Sequence, residues 1–257
     1  MKTVLCAAAA VLLSAAPALA EPASLFGYTL RITLQATAAP HYQGSRQLAF
    51  FPSGNVAVTH PWQFDDFAAP DDAASLAVYN GDRASFGIAA AIISARGNGH
   101  GLEGMRNIGY AGEGGGFANF WPTPWLRLRV EALKGVVSES GLLVNAGADF
   151  VTNTGPWMLT AGPRFRLADD TYAGTYFGVT PGEALANRRF APFHAQAGLV
   201  SAGLAAGTEY KLSPRWRLTL NGTYRRLLGD AAASPLVRQG GTPNQFSVSS
   251  GVRVLIN

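Results

Sequence analysis

The sequence predicts an all-β chain, a transmembrane antiparallel up-and-down β-barrel of about twelve strands, with ten as the alternative count. Three observations predict it. Apolar and polar residues alternate with period two along most of the chain, which no helical stripe of period 3.6 fits. The alternating runs reach about ten residues or more, the length a tilted strand needs to cross a bilayer; strands in soluble proteins average about five or six. The polar face of these runs carries many arginines, which a sandwich wetted on one side does not require.

Composition narrows the class further. Hydrophobic residues make up 48% of the 257, aromatic residues 11% and charged residues only 14%, against a globular average near 25% charged. A disordered chain would be charge-rich and aromatic-poor. A formal charge of +4 without a basic run argues against a nucleic-acid binder. The single cysteine, Cys6, excludes a disulfide scaffold.

The first twenty residues, Met1 to Ala20, read as a cleaved signal peptide. Lys2 is the basic start, an apolar stretch follows, and Ala18-Leu19-Ala20 is a small-x-small cleavage site before Glu21. Cys6 falls inside the apolar stretch, too early for lipoprotein acylation. Residues 21–257 then form a single barrel domain, expected in the outer membrane of a Gram-negative cell.

Strands are expected near 25–38, 44–51, 54–61, 84–95, 109–120, 125–136, 142–152, 156–168, 171–179, 196–211, 214–228 and 244–256. The first sets Phe26, Tyr28, Leu30, Ile32 and Leu34 against Thr29, Arg31, Thr33, Gln35 and Thr37. The run from Leu126 sets Leu128, Val130 and Ala132 against Arg127, Arg129 and Glu131. From Trp157, Leu159, Phe165 and Leu167 oppose Thr160, Arg164 and Arg166. From Arg215, the polar members Arg217, Thr219, Asn221, Thr223 and Arg225 oppose Trp216, Leu218, Leu220, Gly222 and Tyr224. Trp216 and Tyr224 lie eight residues apart, about 20 Å along a tilted strand, close to the spacing of two aromatic girdles. The last strand sets Phe246, Val248, Val252, Val254 and Ile256 against Ser247, Ser249, Gly251 and Arg253.

Connections sort by length in the C-terminal third. Ala168-Asp169-Asp170 and Ser213-Pro214 read as short periplasmic turns, and 180–195 and 229–243 as long external loops. Residues 62–83 and 96–108 have no assigned side and leave the register of the N-terminal half open.

Arg127, Arg129, Glu131, Asp149, Arg164, Arg166, Arg215, Arg217, Arg225 and Arg253 are the candidate lumen residues. A ring of fixed positive charge would draw anions through an open pore. The alternative is an occluded interior in which arginines bridge Glu131, Asp149 and backbone carbonyls. Ten or twelve strands fall between the filled eight-stranded barrel and the open sixteen-stranded one, and the occluded interior is the preferred reading.

Residues in a pattern suited to reactive chemistry are few. His41, His60, His100 and His194 form no short metal-ligand spacing, and no catalytic residue, metal site or cofactor is expected. Asp65-Asp66, Asp71-Asp72 and Asp169-Asp170 read as solvated loop charge rather than acid/base pairs or Ca²⁺ ligands. Gly112-x-Gly114-Gly115-Gly116 lacks the strand–helix context of a phosphate loop and reads as room for lumen side chains or a bend.

Several stretches resemble the MltA-interacting protein (MipA)/OmpV family of outer-membrane proteins. They are Pro40-His41-Tyr42-Gln43-Gly44-Ser45, then Leu102-Glu103-Gly104-Met105 with Ile108 and Glu113-Gly114, and Gly162-Pro163-Arg164. Tyr172, Tyr176-Phe177-Gly178-Val179-Thr180-Pro181 and Glu183-Ala184 follow. The closing part is the most specific: Tyr210-Lys211-Leu212-Ser213-Pro214, Trp216, Leu227-Leu228-Gly229-Asp230-Ala231 and Ser234-Pro235-Leu236-Val237. One departure is the C-terminus, Val254-Leu255-Ile256-Asn257, where the family class usually ends on an aromatic residue read by the barrel-assembly machinery.

The resemblance implies a non-enzymatic scaffold in outer-membrane lipid. Its expected partners are a lytic murein transglycosylase and a murein synthase, met through the periplasmic turns and chain ends. An anion-leaning channel for small solutes and an adhesin acting through its outer loops are the alternatives. A barrel enzyme ranks last.

Overall fold

The computed structural model describes residues 29–59, 67–93, 95–99, 101–136 and 141–256. The signal peptide, Asp65-Asp66, His60 and His100 lie outside the described residues. Alternation becomes strand wherever one face can meet lipid and the other the interior. β1 (Thr29–Pro40), β2 (Leu48–Thr59), β3 (Ala74–Asn80), β4 (Ala84–Ile93), β5 (Ala111–Thr123) and β6 (Leu126–Gly135) form one half of the wall. β7 (Leu142–Thr154), β8 (Trp157–Ala168), β9 (Gly198–Lys211), β10 (Trp216–Leu227) and β11 (Asn244–Ile256) form the other. Neighbours in sequence are neighbours in the sheet, and β11 closes on β1 from Leu30↔Ile256 to Ala38↔Val248. The all-β transmembrane barrel predicted from the sequence is the observed architecture.

Inside and outside are inverted relative to a soluble protein. Leu218 and Leu220 on β10 are 44% and 51% exposed, while Thr219 between them is buried. On β6, Leu128 and Val130 face out while Arg127, Arg129 and Glu131 are buried. Aromatic pairs mark both rims of the apolar band. Trp157 lies against Tyr210 (4.7 Å between ring centroids) and Trp125 against Phe150 (6.0 Å) at the turn end, and Tyr224 lies against Phe246 (4.8 Å) at the loop end.

The strand count is eleven rather than twelve, for three local reasons. The segments 44–51 and 54–61 are one continuous strand, β2, because Pro52 and Gly54 sit on its outward face and pair with Ala36 and Leu34 without turning the chain. Residues 171–177 are helical: α1 (Asp170–Phe177) is capped by Asp169, whose carboxylate accepts from the Tyr172 N–H (2.7 Å), and Val179 forms a single bridge to Phe193. Ala168-Asp169-Asp170 is therefore the entry to a long connection, not a short turn. Lastly, the unassigned stretch 62–83 contains β3.

β3 runs parallel to β2, paired at Ala57↔Ser75 and Val58↔Leu76, whereas every other pairing is antiparallel. Parallel neighbours need a crossover. Here its described part, residues 67–73, lies inside the barrel, with Phe67 and Ala69 buried and Asp71 and Asp72 bonded to lumen arginines. Eleven wall strands plus this one inner pass return the chain to the same side, which is how an odd barrel keeps both ends together.

The connections after β1, β4, β8 and β10 pack into a cap over the loop end. α1, α2 (Pro181–Asn187), α3 (Gly229–Ala233) and α4 (Pro235–Arg238) bury Tyr172, Tyr176, Phe177, Leu236 and Val237 with Tyr42, Leu102, Met105 and Val179. Gly44 holds φ +98°, and a Cβ there would lie 2.6 Å from the Val237 side chain, so only glycine fits beneath α4.

Candidate functional site

The lumen is crossed by an ionic network centred on Asp71 and Asp72, which form part of the inner segment. Arg127 on β6 donates through Nη1 and Nη2 to Asp72 (2.7 and 3.0 Å) and through Nε and Nη2 to Asp149 Oδ2 on β7 (3.0 and 2.6 Å). Arg164 on β8 donates to Asp71 (3.0 Å) and to the other Asp149 oxygen (2.5 Å). Arg225 on β10 adds a contact to Asp71 (3.0 Å). Arg129 donates to Glu131 (2.7 Å) and to Asn119 (3.0 Å), and Glu131 accepts the Ala73 N–H (3.0 Å). Nearer the turn end, Arg253 pairs with Glu209 and donates to the Ala68 carbonyl (3.1 Å), while Arg217 lies 3.5 Å from Glu209. Phe67 and Phe117 stack beneath the Arg127 and Arg129 guanidinium planes, at 4.6 and 4.3 Å.

Charged groups this deep persist only when paired and hydrogen-bonded, and the inner segment supplies what the wall lacks. Arg127, Arg129, Glu131, Asp149, Arg164, Arg217, Arg225 and Arg253 thus lie in one connected region. Arg166 lines a cavity above it, half-buried. Arg215 lies in the turn before β10, off the strand.

Asp71 and Asp72 are the main correction: expected as solvated loop charge, they are the acids at the centre. An arginine surplus on the wall, with acids missing nearby, was the signal that another segment had to enter. Glu209 and Glu113 are further buried charges that alternation on β9 and β5 would have placed, and Arg31, on the polar face of the first alternating run, is buried on β1. Asp169 caps α1 and Asp170 accepts the Ala197 N–H (2.7 Å). His41 lies in the β1–β2 connection and His194 is exposed.

The network separates two cavities. One of about 380 Å³ opens near the turn end beside Trp121, Met158 and Lys211. Another of about 360 Å³ lies beneath the cap, roofed by Tyr42, Tyr172 and Tyr176 and floored by Asp71 and Asp72. Between them the network leaves about 30 Å³, room for a few waters at most.

The cap is tied by polar contacts as well as apolar packing. Gln43 donates to the Tyr172 hydroxyl (2.8 Å), and Ser234 Oγ donates to the Phe177 carbonyl (2.6 Å). Arg106 joins the β4–β5 connection to α1 through the Gly174 carbonyl (2.8 Å). Thr180 and Glu183 form a capping box at the start of α2, and Glu183 also accepts the Arg106 N–H (3.0 Å).

Burial pushes the Glu183 carboxyl up, but hydrogen bonds from Thr180 and Arg106 outweigh it and hold it below the ordinary glutamate value. A depressed folded value means this stabilisation is full above about pH 4.3 and fades as pH falls through the lower folded value. Relative to its intrinsic rate, hydrogen exchange at the Thr180 and Arg106 amides should therefore accelerate as pH falls below the ordinary glutamate value. In Glu183→Ala it should be fast and independent of pH once intrinsic exchange is divided out.

Most of the residues carrying the family resemblance meet in this cap. Tyr42 and Gly44, Leu102 and Met105, Tyr176 through Thr180, and Ser234 through Val237 come from four connections to one packed unit. Tyr210 to Pro214 and Trp216 lie apart, at the turn end.

The family model described as MltA-interacting protein MipA matches residues 32–254. None of the curated proteins matches the chain. Solved structures similar in fold include Neisserial surface protein A, 12% identical with a TM-score of 0.32, covering 89% of this chain and 96% of that one. An outer-membrane channel from Pseudomonas putida is 10% identical with a TM-score of 0.46, covering 89% and 95%. The outer-membrane protease OmpT from Escherichia coli is 10% identical with a TM-score of 0.36, covering 93% and 99%. With a closed barrel, an apolar exterior and a family match over nearly its whole length, this chain is an outer-membrane β-barrel belonging to the MltA-interacting protein (MipA) family.

Proposed function

We propose that the chain is a non-enzymatic outer-membrane scaffold that holds murein-hydrolysing and murein-synthesising enzymes against the inner face of the membrane. The observation that carries this reading is the family match over residues 32–254, whose description names an interaction with MltA. The ion pairs spanning β6, β7, β8 and β10 support it, because among the described residues they cross the interior and enclose a cavity of only about 30 Å³. In this reading residues 1–20 direct export and are cleaved, and residues 21–257 form the single barrel domain.

The surface available to a periplasmic partner is the turn end. Its turns are Asp82-Arg83, Pro124-Trp125, Gly155-Pro156 and Leu212 to Arg215, with Trp125 and Leu212 both exposed. Affinity capture of the tagged protein from cross-linked envelopes should recover a lytic transglycosylase and a murein synthase. Alanine substitution of Trp125 and Leu212 should reduce that recovery several-fold. Absence of murein enzymes under several solubilisation conditions would sink the scaffold reading.

A further inference from the structure

The barrel wall is incomplete on one side of the cavity beneath the cap. On its β3 side β2 is paired only at Ala57 and Val58, so Leu48–Val56 has no strand partner there among the described residues. β3 begins opposite Ala90 of β4, so Ala91, Ile92 and Ile93 also run past it unpaired on that side. Strand edges are not left bare against hydrocarbon; they border protein or a wet cavity. The cavity of about 360 Å³ meets this gap, since Phe51 of β2 and Ala91, Ile92 and Ile93 of β4 all line it. Ile92 is also 79% exposed on the outer surface. Pro52, which has no N–H to offer a neighbouring strand, lies on the same stretch of β2.

The cavity's inner wall carries a buried guanidinium with one edge unused. Arg96 is 3% exposed and held by paired backbone hydrogen bonds with Ile108 (2.8 and 2.9 Å), and its Nη1 donates to the Tyr176 carbonyl (3.0 Å). Its remaining edge, Nε and Nη2, is buried without a hydrogen-bond partner among the described residues, as is the Tyr176 hydroxyl. The same Nε/Nη2 edge on Arg127 grips Asp149, so this chain itself shows what that edge binds. Arg166 adds positive charge to the wall. Of the facing acids, Asp71, Asp72 and Glu131 are engaged by other arginines, and Glu113 has an interaction of its own.

We infer that this cavity binds an anionic amphiphile from the bilayer, its carboxylate or phosphate on Arg96 and Tyr176 and its hydrocarbon tail leaving between β2 and β4 past Phe51 and Ile92. The chemistry is an oxyanion head joined to an apolar chain. The size suits it, since ligand pockets commonly span about 300–1,000 Å³. The site is independent of the scaffold reading and uses none of the turn-end residues.

The test uses the folded full barrel in a neutral maltoside detergent. Thermal unfolding is followed by the gel-mobility shift while dodecanoate, dodecyl phosphate or inorganic phosphate is titrated at constant ionic strength. One or both amphiphiles should raise the midpoint saturably, and inorganic phosphate should not. Arg96→Gln should weaken the apparent affinity at least ten-fold, and Tyr176→Phe, which removes one hydroxyl from a packed ring, several-fold. Should Arg96→Gln fail to fold, Tyr176→Phe alone decides. Three results would overturn the inference: no saturable shift with either amphiphile, an equal response to inorganic phosphate, or wild-type affinity in the variants that fold.

Discussion

Arg127→Met is expected to destabilise the barrel by about 3–5 kcal/mol, the range for removing one partner from a buried ion pair. Arg127 is 1% exposed and joins Asp72 of the inner segment to Asp149 of the wall. Without it, both carboxylates stay buried against hydrocarbon-backed strands. Met keeps the packing against Phe67 but offers no donor. Urea unfolding in lipid vesicles, read by the mobility shift, measures the loss. Adding Asp72→Asn and Asp149→Asn to the variant should restore much of it, because neutral amides can accept and donate among themselves. If Arg127→Met alone unfolds at the wild-type urea concentration, the network is not holding the inner segment.

Leu220→Arg is expected to cost about 2–4 kcal/mol, the depth-dependent penalty for a charge on the lipid face near the midplane. Leu220 lies halfway between Trp216 and Tyr224 on β10, with its side chain 51% exposed. Leu212→Arg, beyond the turn-end rim, should cost under about 1 kcal/mol, as charges near the interface do. Equal costs at the two sites would mean that the apolar band is not where the aromatic pairs place it.

Legibility followed the physics of the two faces. β6, β8, β10 and β11 were readable because lipid on one side and ion pairs on the other impose a strict period of two, so Arg127, Arg129, Glu131, Arg217 and Arg253 could be named from alternation alone. The two expected strands 44–51 and 54–61 meet at Pro52 and Gly54, which on an outward face at a partly unpaired edge are both tolerated within one strand, β2. The expected strand at 171–179 is α1 instead, and the signals for it are the Asp169 cap and the spacing of Tyr172, Ala173, Tyr176 and Phe177.

Asp71 and Asp72 were hidden for a different reason. A segment threaded through a barrel meets neither lipid nor bulk water and so has no periodicity to read. Its role is legible only from charge imbalance: the wall arginines outnumber their acids, and closure forces the missing carboxylates to come from a connection. The Arg96 edge was beyond reach for the same reason, since Arg96 lies outside the strands and is placed by its pairing with Ile108.

Planar-bilayer recording of the refolded protein, on a sample whose mobility shift shows the barrel intact, tests the filled lumen most directly. With Asp71 and Asp72 pinned to Arg127, Arg164 and Arg225 across the interior, insertion should produce no discrete conductance steps across the working voltage range. Steady, anion-selective steps from the wild-type protein would contradict the account and identify the chain as a channel.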